Sequence, residues 1–262
     1  MSDIRFYLGT HRPTWLWTVH DVPLFVSHRV LRDRKSPFPR ATTPWALDSG
    51  GFTELSLNGE WRTTPEEYVD SVRRYVDELG HLEWASPQDW MCEPWITAKT
   101  GLTVAEHQAR TVENYLTLIN LAPDLPFIPV LQGWELDDYH AHADAYAAAG
   151  VDLAAQPVVG IGSVCRRQAT GQIAGIFDSL RARGLQMHGF GVKTAGLSLY
   201  ADQLVSADSL AWSYGARKEA RAGKRGTCGK AACNNCLHAA LEWRDRVLRS
   251  LNTRQMTLWG AA

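Results

Sequence analysis

The sequence predicts an α/β fold, specifically a (β/α)8 barrel of the TIM type with a small zinc-binding subregion at its C-terminal end. Eight short apolar segments alternate with helical segments, and no linker or change of composition interrupts them. Three cysteines cluster near the C-terminus. The 262 residues are enough to bury one sizeable core. A doubly wound sheet is the alternative, but eight strands and the absence of a Gly-x-Gly-x-x-Gly turn after the first strand disfavour it.

The predicted elements follow one another in regular alternation. Apolar runs predict strands at 4–9, 22–27, 45–47, 81–85, 127–131, 156–159, 187–192 and 209–212. Helical patterns and start signals predict helices at 64–79, 103–121, 136–149, 168–183, 197–204 and 237–251. We therefore assign residues 1–215 to the barrel, and residues 216–262 to a basic zinc-binding loop and a C-terminal helix packed on it.

The composition of the chain limits the classes of function to consider. A net charge of −1 argues against a uniformly basic coat for nucleic acid, so such binding must come from a local patch. No apolar run approaches the length of a membrane span, and the N-terminus lacks a signal-peptide pattern. We expect a cytoplasmic protein with no membrane partner, and the sequence leaves its oligomeric state open.

Polar residues and glycines follow several of the predicted strands. Asp48-Ser49-Gly50-Gly51-Phe52 follows the third strand and Asp89 the fourth. The later ends carry Gln132-Gly133, Gly160-Ile161-Gly162-Ser163 and Phe190-Gly191. In a (β/α)8 barrel the loops after the strands form the active site, so these residues are expected at one mouth.

This set of groups suits a planar, hydrogen-bonding ligand such as a purine. Carboxylates accept from the N–H groups of a base edge, an amide offers both polarities, and aromatic rings stack on the base. Each residue also has a plainer explanation: Asp48 as a turn cap, Asp89 as a solvated turn residue, Gln132 as a strand-end cap, and Phe190 as a core aromatic.

In these motifs the chain resembles the guanine transglycosylases, the family of the queuine and archaeosine tRNA-ribosyltransferases. Asp48-Ser49-Gly50-Gly51-Phe52, Asp89, Val130-Leu131-Gln132-Gly133, Gly160-Ile161-Gly162-Ser163-Val164 and Phe190-Gly191-Val192 occur in the family's order, followed by a cysteine cluster. The resemblance covers roughly residues 45 to 240. The amino-acid sequence around Asp48 is most similar to that of the DNA-modifying, DpdA-type branch.

The resemblance implies a role for each matched position. Asp48 would be the acid/base at the exchanging base, and Asp89 would accept from the N1/N2 edge of the purine. Phe52 and Phe190 would cover its two faces, and Gln132 and the Gly160 region would contact its carbonyl. The remaining contacts to the base would come from Ser49, Gly50, Gly51, Gly133, Gly162, Ser163 and Gly191.

The nucleophile is less well defined. The family attacks the sugar C1′ with a carboxylate at the end of the eighth strand, which forms a covalent glycosyl-enzyme. Asp208 is the carboxylate available in that segment, but an ungapped alignment places Ala211 at the nucleophile's position. Either the strand is shifted and Asp208 serves, or another carboxylate does. Asp208 could also be a cap at the strand entrance.

The cysteine cluster predicts a structural zinc site. Cys228, Cys233 and Cys236 supply three thiolates within nine residues, and His238 is the natural fourth ligand unless an upstream histidine folds in. A closed four-ligand site leaves no open position for catalysis. Cys92 and Cys165 are expected to be buried thiols.

A basic patch lies immediately before and within the cysteine cluster, opposed by Glu219 alone. We expect it to hold a nucleic-acid backbone over the barrel mouth, the plainer explanation being a solvated loop. Its members are Arg217, Lys218, Arg221, Lys224, Arg225 and Lys230.

These expectations define the functional hypothesis. The chain is expected to replace guanine in DNA with a 7-deazaguanine, such as 7-cyano-7-deazaguanine, in a bacterial or phage-infected cell. The guanine must first be flipped out or unpaired. The alternatives are the same exchange on tRNA, a non-catalytic zinc-stapled nucleic-acid-binding subunit that lacks the nucleophile, and a glycoside hydrolase using Asp48 and Asp89.

Overall fold

Eight parallel strands form one sheet in the computed structural model, which describes residues 4–165, 167, 171–192, 194–224 and 232–259, without the side chains of 194, 195, 198 and 252–259. The strands are β1 (Arg5–Thr10), β2 (Leu24–Ser27), β3 (Trp45–Asp48), β4 (Leu82–Ala85), β5 (Val130–Leu131), β6 (Val159–Ile161), β7 (Met187–Gly189) and β8 (Ser206–Ser209). Their order is β4-β3-β2-β1-β8-β7-β6-β5. An isolated parallel bridge joins Ala85, at the end of β4, to Phe127, just before β5.

Helices follow the strands along the chain. They are α1 (His28–Leu31), α2 (Gly51–Asn58), α3 (Pro65–Glu78), α4 (Pro94–Thr100), α5 (Val104–Leu121), α6 (Leu136–Ala148), α7 (Gly171–Ala182), α8 (Thr194–Tyr200), α9 (Ala211–Arg221) and α10 (Leu237–Trp259), with short 3-10 helices at Pro13–Trp17 and Ala201–Gln203. The α/β class and the eight-stranded parallel sheet are confirmed, and the strand order is compatible with a TIM-type barrel.

Two of the predicted helices begin at a pair of reciprocal hydrogen bonds. The hydroxyl of Thr64 accepts from the N–H of Glu67, whose carboxylate accepts in turn from the N–H of Thr64. Thr103 and Glu106 form the same reciprocal pair at α5. Each pair satisfies two backbone donors that a helix start would otherwise leave without partners.

The sheet has a larger apolar layer towards the helices and a smaller cluster inside. Side chains alternate along a strand, so in β1 Phe6 and Leu8 join the outer layer while Tyr7 points inward. Tyr7 and Trp84 fill the interior, where the Trp84 indole N–H donates to the Tyr7 hydroxyl over 3.1 Å. The interior is therefore packed below the ends of the strands.

The eighth strand differs from its prediction. It spans Ser206–Ser209 and pairs with β1, so that Asp208 lies opposite Tyr7, whereas residues from Ala211 onwards form α9. The predicted strand at 209–212 is wrong, because the apolar residues from 210 onwards lead into α9 and do not form the strand. The true strand carries polar side chains that are buried against other polar groups. Asp208 therefore lies within the strand, not at its entrance.

Other boundaries differ by less. The sixth strand spans Val159–Ile161 instead of 156–159, and α10 continues past residue 251. Helices α1, α2 and α4 were not expected. Helix α9 occupies residues that were expected to belong to a loop, and it crosses the proposed boundary at residue 215, so that division stays a prediction. Among the described helices, none combines the length and the apolarity needed to cross a bilayer.

Candidate active site

A cavity of about 600 Å³ opens at the carboxyl ends of the strands. Most of the predicted site residues line it: Asp48, Gly50, Gly51, Phe52, Asp89, Gln132, Gly162, Ser163, Phe190, Gly191 and Asp208. Three others lie just behind its wall. Ser49 donates to Asp89, Gly133 packs on Tyr139, and Gly160 packs on the ring of Phe190. The fold thus gathers residues from distant parts of the chain around one space.

Asp48 stands where β3 gives way to a tight turn. Gly50 has a φ of +90°, a left-handed conformation that glycine adopts without strain, and it forms the N-cap of α2. Burial raises the pKa of Asp48 to about 6, although Ser27, the Gly50 backbone and Arg29 all favour its charged form. The negative charge of Asp208 acts in the same direction as burial. Asp48 can therefore exchange a proton near neutral pH.

Asp89 is held by a chain of hydrogen bonds. Its carboxylate accepts from the Gln132 side-chain amide and, over 3.3 Å, from the hydroxyl of Ser49. Gln132 in turn lies 2.6 Å from the Ser163 hydroxyl, which also accepts from the N–H of Cys92. Burial, followed by the charge of Asp48, raises the pKa of Asp89 to about 7. The resulting edge presents a carboxyl and an amide side by side.

Ser163 carries backbone strain at this edge. Its φ of +55° is uncommon for a residue with a side chain, and its hydroxyl is buried within reach of both Gln132 and Glu93. Outliers of this kind cluster at functional sites, where the surrounding structure holds them in place. The sequence points to Ser163 only through its position in the Gly-Ile-Gly-Ser motif.

Asp208 faces the same cavity from β8. Its Oδ1 accepts from the N–H of Gly191 over 2.7 Å and lies 3.3 Å from Nε2 of His188. Among the described residues, none donates a hydrogen bond to its Oδ2. One carboxylate oxygen is thus held by the backbone and His188, and the carboxylate lines the cavity.

His188 is a functional candidate that sequence reasoning missed. It is fully buried among Tyr7, Phe25, Trp84 and Phe190, and burial lowers its pKa. Because a carboxylate only accepts, Nε2 of the neutral ring donates to Asp208. Nδ1 then accepts from the hydroxyl of Ser206 over 2.8 Å. An isolated histidine within an apolar strand gave no signal of this pairing.

The two aromatic residues predicted to cover a base both line the cavity but pack against different partners. Phe190 packs against His188 and Trp84, with ring centroids 4.8 Å and 6.1 Å away, so its ring belongs both to the interior and to the cavity wall. Phe52 lies at the start of α2 and meets the edge of Trp95 at 5.4 Å. Trp95 is exposed to solvent.

The predicted zinc ligands are only partly described. Cys228 lies outside the described residues. Cys233 is buried, and Cys236 follows it in a turn closed by a 3.2 Å backbone hydrogen bond. Nε2 of His238 lies 3.2 Å from the carboxylate of Glu242. Within the described ranges no three His, Cys, Asp or Glu side chains converge as a metal site would require, so the zinc site stays a prediction.

The predicted basic patch is also only partly described. Arg217, Lys218 and Arg221 project from α9 and Lys224 follows it, whereas Arg225 and Lys230 lie outside the described residues. Arg217 is close enough to His11, a cavity residue, to lower its pKa together with burial, the larger cause. The start of the patch therefore lies beside the mouth of the cavity.

One of the comparisons with known proteins identifies a family. A family model described as DpdA, DeoxyPurine in DNA protein A, matches residues 2–262. No curated protein matches the chain. Among solved structures, an amidohydrolase from Burkhoderia ambifaria with bound zinc is 14% identical with a TM-score of 0.37. That match covers 73% of this chain, which spans 56% of the amidohydrolase.

Proposed function

The chain belongs to the DpdA family, DeoxyPurine in DNA protein A, and from that membership we propose that it replaces guanine in DNA with a 7-deazaguanine. One observation carries the proposal: Asp48, Asp208 and the Asp89–Gln132 edge all line one cavity of about 600 Å³. A purine base with its sugar fits a space of that size, and the polar edge matches the donors and carbonyl of a guanine. The target nucleotide must leave the stack to reach it.

The exchange needs two carboxylates with different tasks. Oδ2 of Asp208 attacks C1′ of the deoxyribose, the C1′–N9 bond breaks, and the departing guanine takes a proton from Asp48. Guanine leaves and a 7-deazaguanine enters. The Asp48 carboxylate then removes the N9 proton, N9 attacks C1′, and Asp208 is released. One glycosidic bond is broken and one is made, so no energy-carrying cofactor is needed.

The position of Asp208 supports this mechanism over a non-catalytic role. Ala211 belongs to α9, and it is Asp208 that reaches the cavity from β8. A glycoside hydrolase would use Asp48 and Asp89 as its two carboxylates, which would leave Asp208, a third carboxylate in the cavity, without a task. The alternative of the same exchange on tRNA is tested with a labelled tRNA substrate.

The test measures release and uptake of labelled guanine. A single-stranded oligodeoxynucleotide, a duplex and a tRNA, each labelled in guanine, are incubated with candidate 7-deazaguanines, and labelled free guanine is offered in a parallel exchange. We expect exchange into DNA, lowered at least about 10³-fold by Asp208→Asn or Asp48→Asn. Asp124→Asn, at an exposed ion pair with Arg73, is the control. Exchange into tRNA alone, or full activity of Asp208→Asn, would refute the proposal.

A structural zinc completes the proposal. The donor chemistry fits, since Cys233 and Cys236 are one turn apart and buried or half-buried beside α10. Cys228 and His238 would be the other ligands, and the metal would fasten the basic segment next to the cavity. We expect about one zinc per chain by elemental analysis, lost in Cys233→Ser together with thermal stability. A metal-free, equally stable protein would contradict this.

The proposed reaction implies the partners of the protein and its cellular location. DNA with an unpaired or flipped guanine and a free 7-deazaguanine base are the expected partners, and both occur in the cytoplasm of a bacterial or phage-infected cell. The patch from Arg217 to Lys230 would add sequence-independent contacts to phosphates, whose strength falls with salt.

A further inference from the structure

The cavity is chemically divided between its two halves. Asp89 and Gln132, which can read a base edge, follow β4 and β5, and Gly162 and Phe190 follow β6 and β7. On the other side, β1 and β2 lie between β3, which carries Asp48, and β8, which carries Asp208. A nucleotide whose C1′ meets Asp208 and Asp48 and whose base reaches Asp89 would place its phosphates towards the ends of β1 and β2, which lie between β3 and β8.

Among the residues that the structure describes, two side chains that can be positively charged line the cavity, and both lie on this second side. They are His11, just after β1, and Arg29, just after β2. Arg217 approaches His11 from α9 and adds its charge to the same rim. No lysine, arginine or histidine lines the half that follows β4 to β7 within the described residues.

Arg29 is built into this wall. A Cβ placed on Gly50 would come within 2.8 Å of the Arg29 Cγ and 3.1 Å of its Cδ, so the missing side chain of Gly50 makes room for the arginine stem. Arg29 is half-buried. Within the described part of the chain its guanidinium makes no hydrogen bond or ion pair, although it lies near enough to favour the charged form of Asp48.

A half-buried guanidinium without a partner needs a ligand or water to satisfy its five donors. Its planar fork suits the paired oxygens of a phosphate, whereas a neutral base edge offers it no comparable partner. His11 can supply one further N–H donor at the same rim.

We infer that Arg29, assisted by His11, binds a backbone phosphate next to the flipped deoxyguanosine, so that the β1–β2 rim is the phosphate-binding half of the site. This inference rests on the proposed function. Phosphate binding there would hold C1′ over Asp208 while leaving the base free to leave and be replaced. The covalent bond to Asp208 retains the strand while the bases exchange, and the phosphate contact would keep C1′ in position for attack by the entering base.

The competing role for Arg29 is to tune Asp48 electrostatically. In that role the loss of Arg29 would shift the pH dependence of exchange and leave DNA affinity unchanged. Binding measurements without turnover therefore separate the two roles.

The experiment measures binding of a fluorescent single-stranded oligodeoxynucleotide by anisotropy across a range of salt concentrations. For Arg29→Gln we expect the Kd to rise about tenfold and the slope of log K against log salt to fall by about 0.7, the value of one phosphate contact on a single strand. Arg29→Lys should restore most of the affinity. Arg73→Gln, at the exposed ion pair with Asp124, is the matched control.

Binding of the free base, followed by calorimetry with guanine, should be unchanged in Arg29→Gln, because Asp89 and Gln132, which read the base edge, follow β4 and β5 on the other half. An unchanged DNA affinity and salt slope in folded Arg29→Gln would overturn the inference, whatever the activity. If the DNA affinity depends on Arg29 but no guanine is exchanged, the phosphate site stands and the proposed function fails.

Discussion

The acid/base chemistry of the site depends on where single carboxyl groups are placed. Asp48 and Asp89 border the cavity but lie deep in the protein, and burial is the first cause of the raised pKa of each. A carboxyl whose pKa is near the working pH can both give and take a proton.

The raised pKa of Asp48 predicts opposite pH dependence for the two halves of the exchange. Guanine release needs the acid form, which declines as the pH rises through about 6, whereas uptake of the entering base needs the carboxylate, which declines as the pH falls. Two rapid-mixing measurements between about pH 5 and 8 would show this. One follows label release, and the other follows base uptake by the isolated covalent intermediate. Parallel profiles for the two halves would contradict the assignment.

His188 is expected to act through Asp208 as a positioning residue. His188→Phe should fit the surrounding aromatic side chains but lose the donor to Oδ1, so we expect kcat to fall on the order of 10- to 100-fold. The Kd for DNA should stay the same, because His188 is fully buried. A variant that changes only KM, or only stability, would speak against this role.

At the scale of elements, close packing of the strand ends sets the shape of the site. A Cβ on Gly162 would overlap the side-chain amide of Gln132, so this glycine lets β5 and β6 bring their ends together. By contrast, nothing lies within 4 Å of a Cβ at Gly175 in the middle of α7.

This contrast yields a matched pair of variants. Gly162→Ala should displace Gln132 from Asp89 and weaken binding of guanine at least about tenfold, because a buried hydrogen bond to a charged group contributes roughly 1.5–3 kcal/mol. Gly175→Ala should leave binding unchanged and raise the free energy of unfolding by about 0.5–1 kcal/mol through helix propensity. Calorimetry and urea unfolding would check both, and equal guanine affinity in the two variants would argue against the packing explanation.

At the scale of the whole molecule, the site costs stability. The folded chain holds Asp89 with a pKa of about 7, whereas the unfolded chain releases that proton near pH 4. Between these values the folded state binds more protons, so stability falls as the pH rises from about 4 to about 7 and then levels off.

Replacing Asp89 with asparagine should therefore stabilise the protein at neutral pH while weakening base recognition. The asparagine side chain is not charged but can still accept from Gln132, so for Asp89→Asn we expect a gain of about 1–3 kcal/mol above pH 7 that vanishes near pH 4. Urea unfolding at several pH values would measure it. Asp124→Asn should show no such gain, since its exposed carboxylate pairs with Arg73 and its pKa is lowered. A gain independent of pH would refute the explanation.

Much of this molecule follows from its sequence, since periodicity and helix caps depend on neighbouring residues alone. The alternation of elements, the starts at Thr64 and Thr103, and the placing of Asp48, Asp89 and Gln132 at one mouth all come from local patterns combined with the rule that parallel strands end together. The tertiary structure decided the register of β8 and the pairing of His188 with Asp208. It also decided the position of Arg29, whose stem packs at Gly50 and whose guanidinium has no partner among the described residues. Each of these depends on which distant side chains share a buried space, and no local pattern of polarity encodes that.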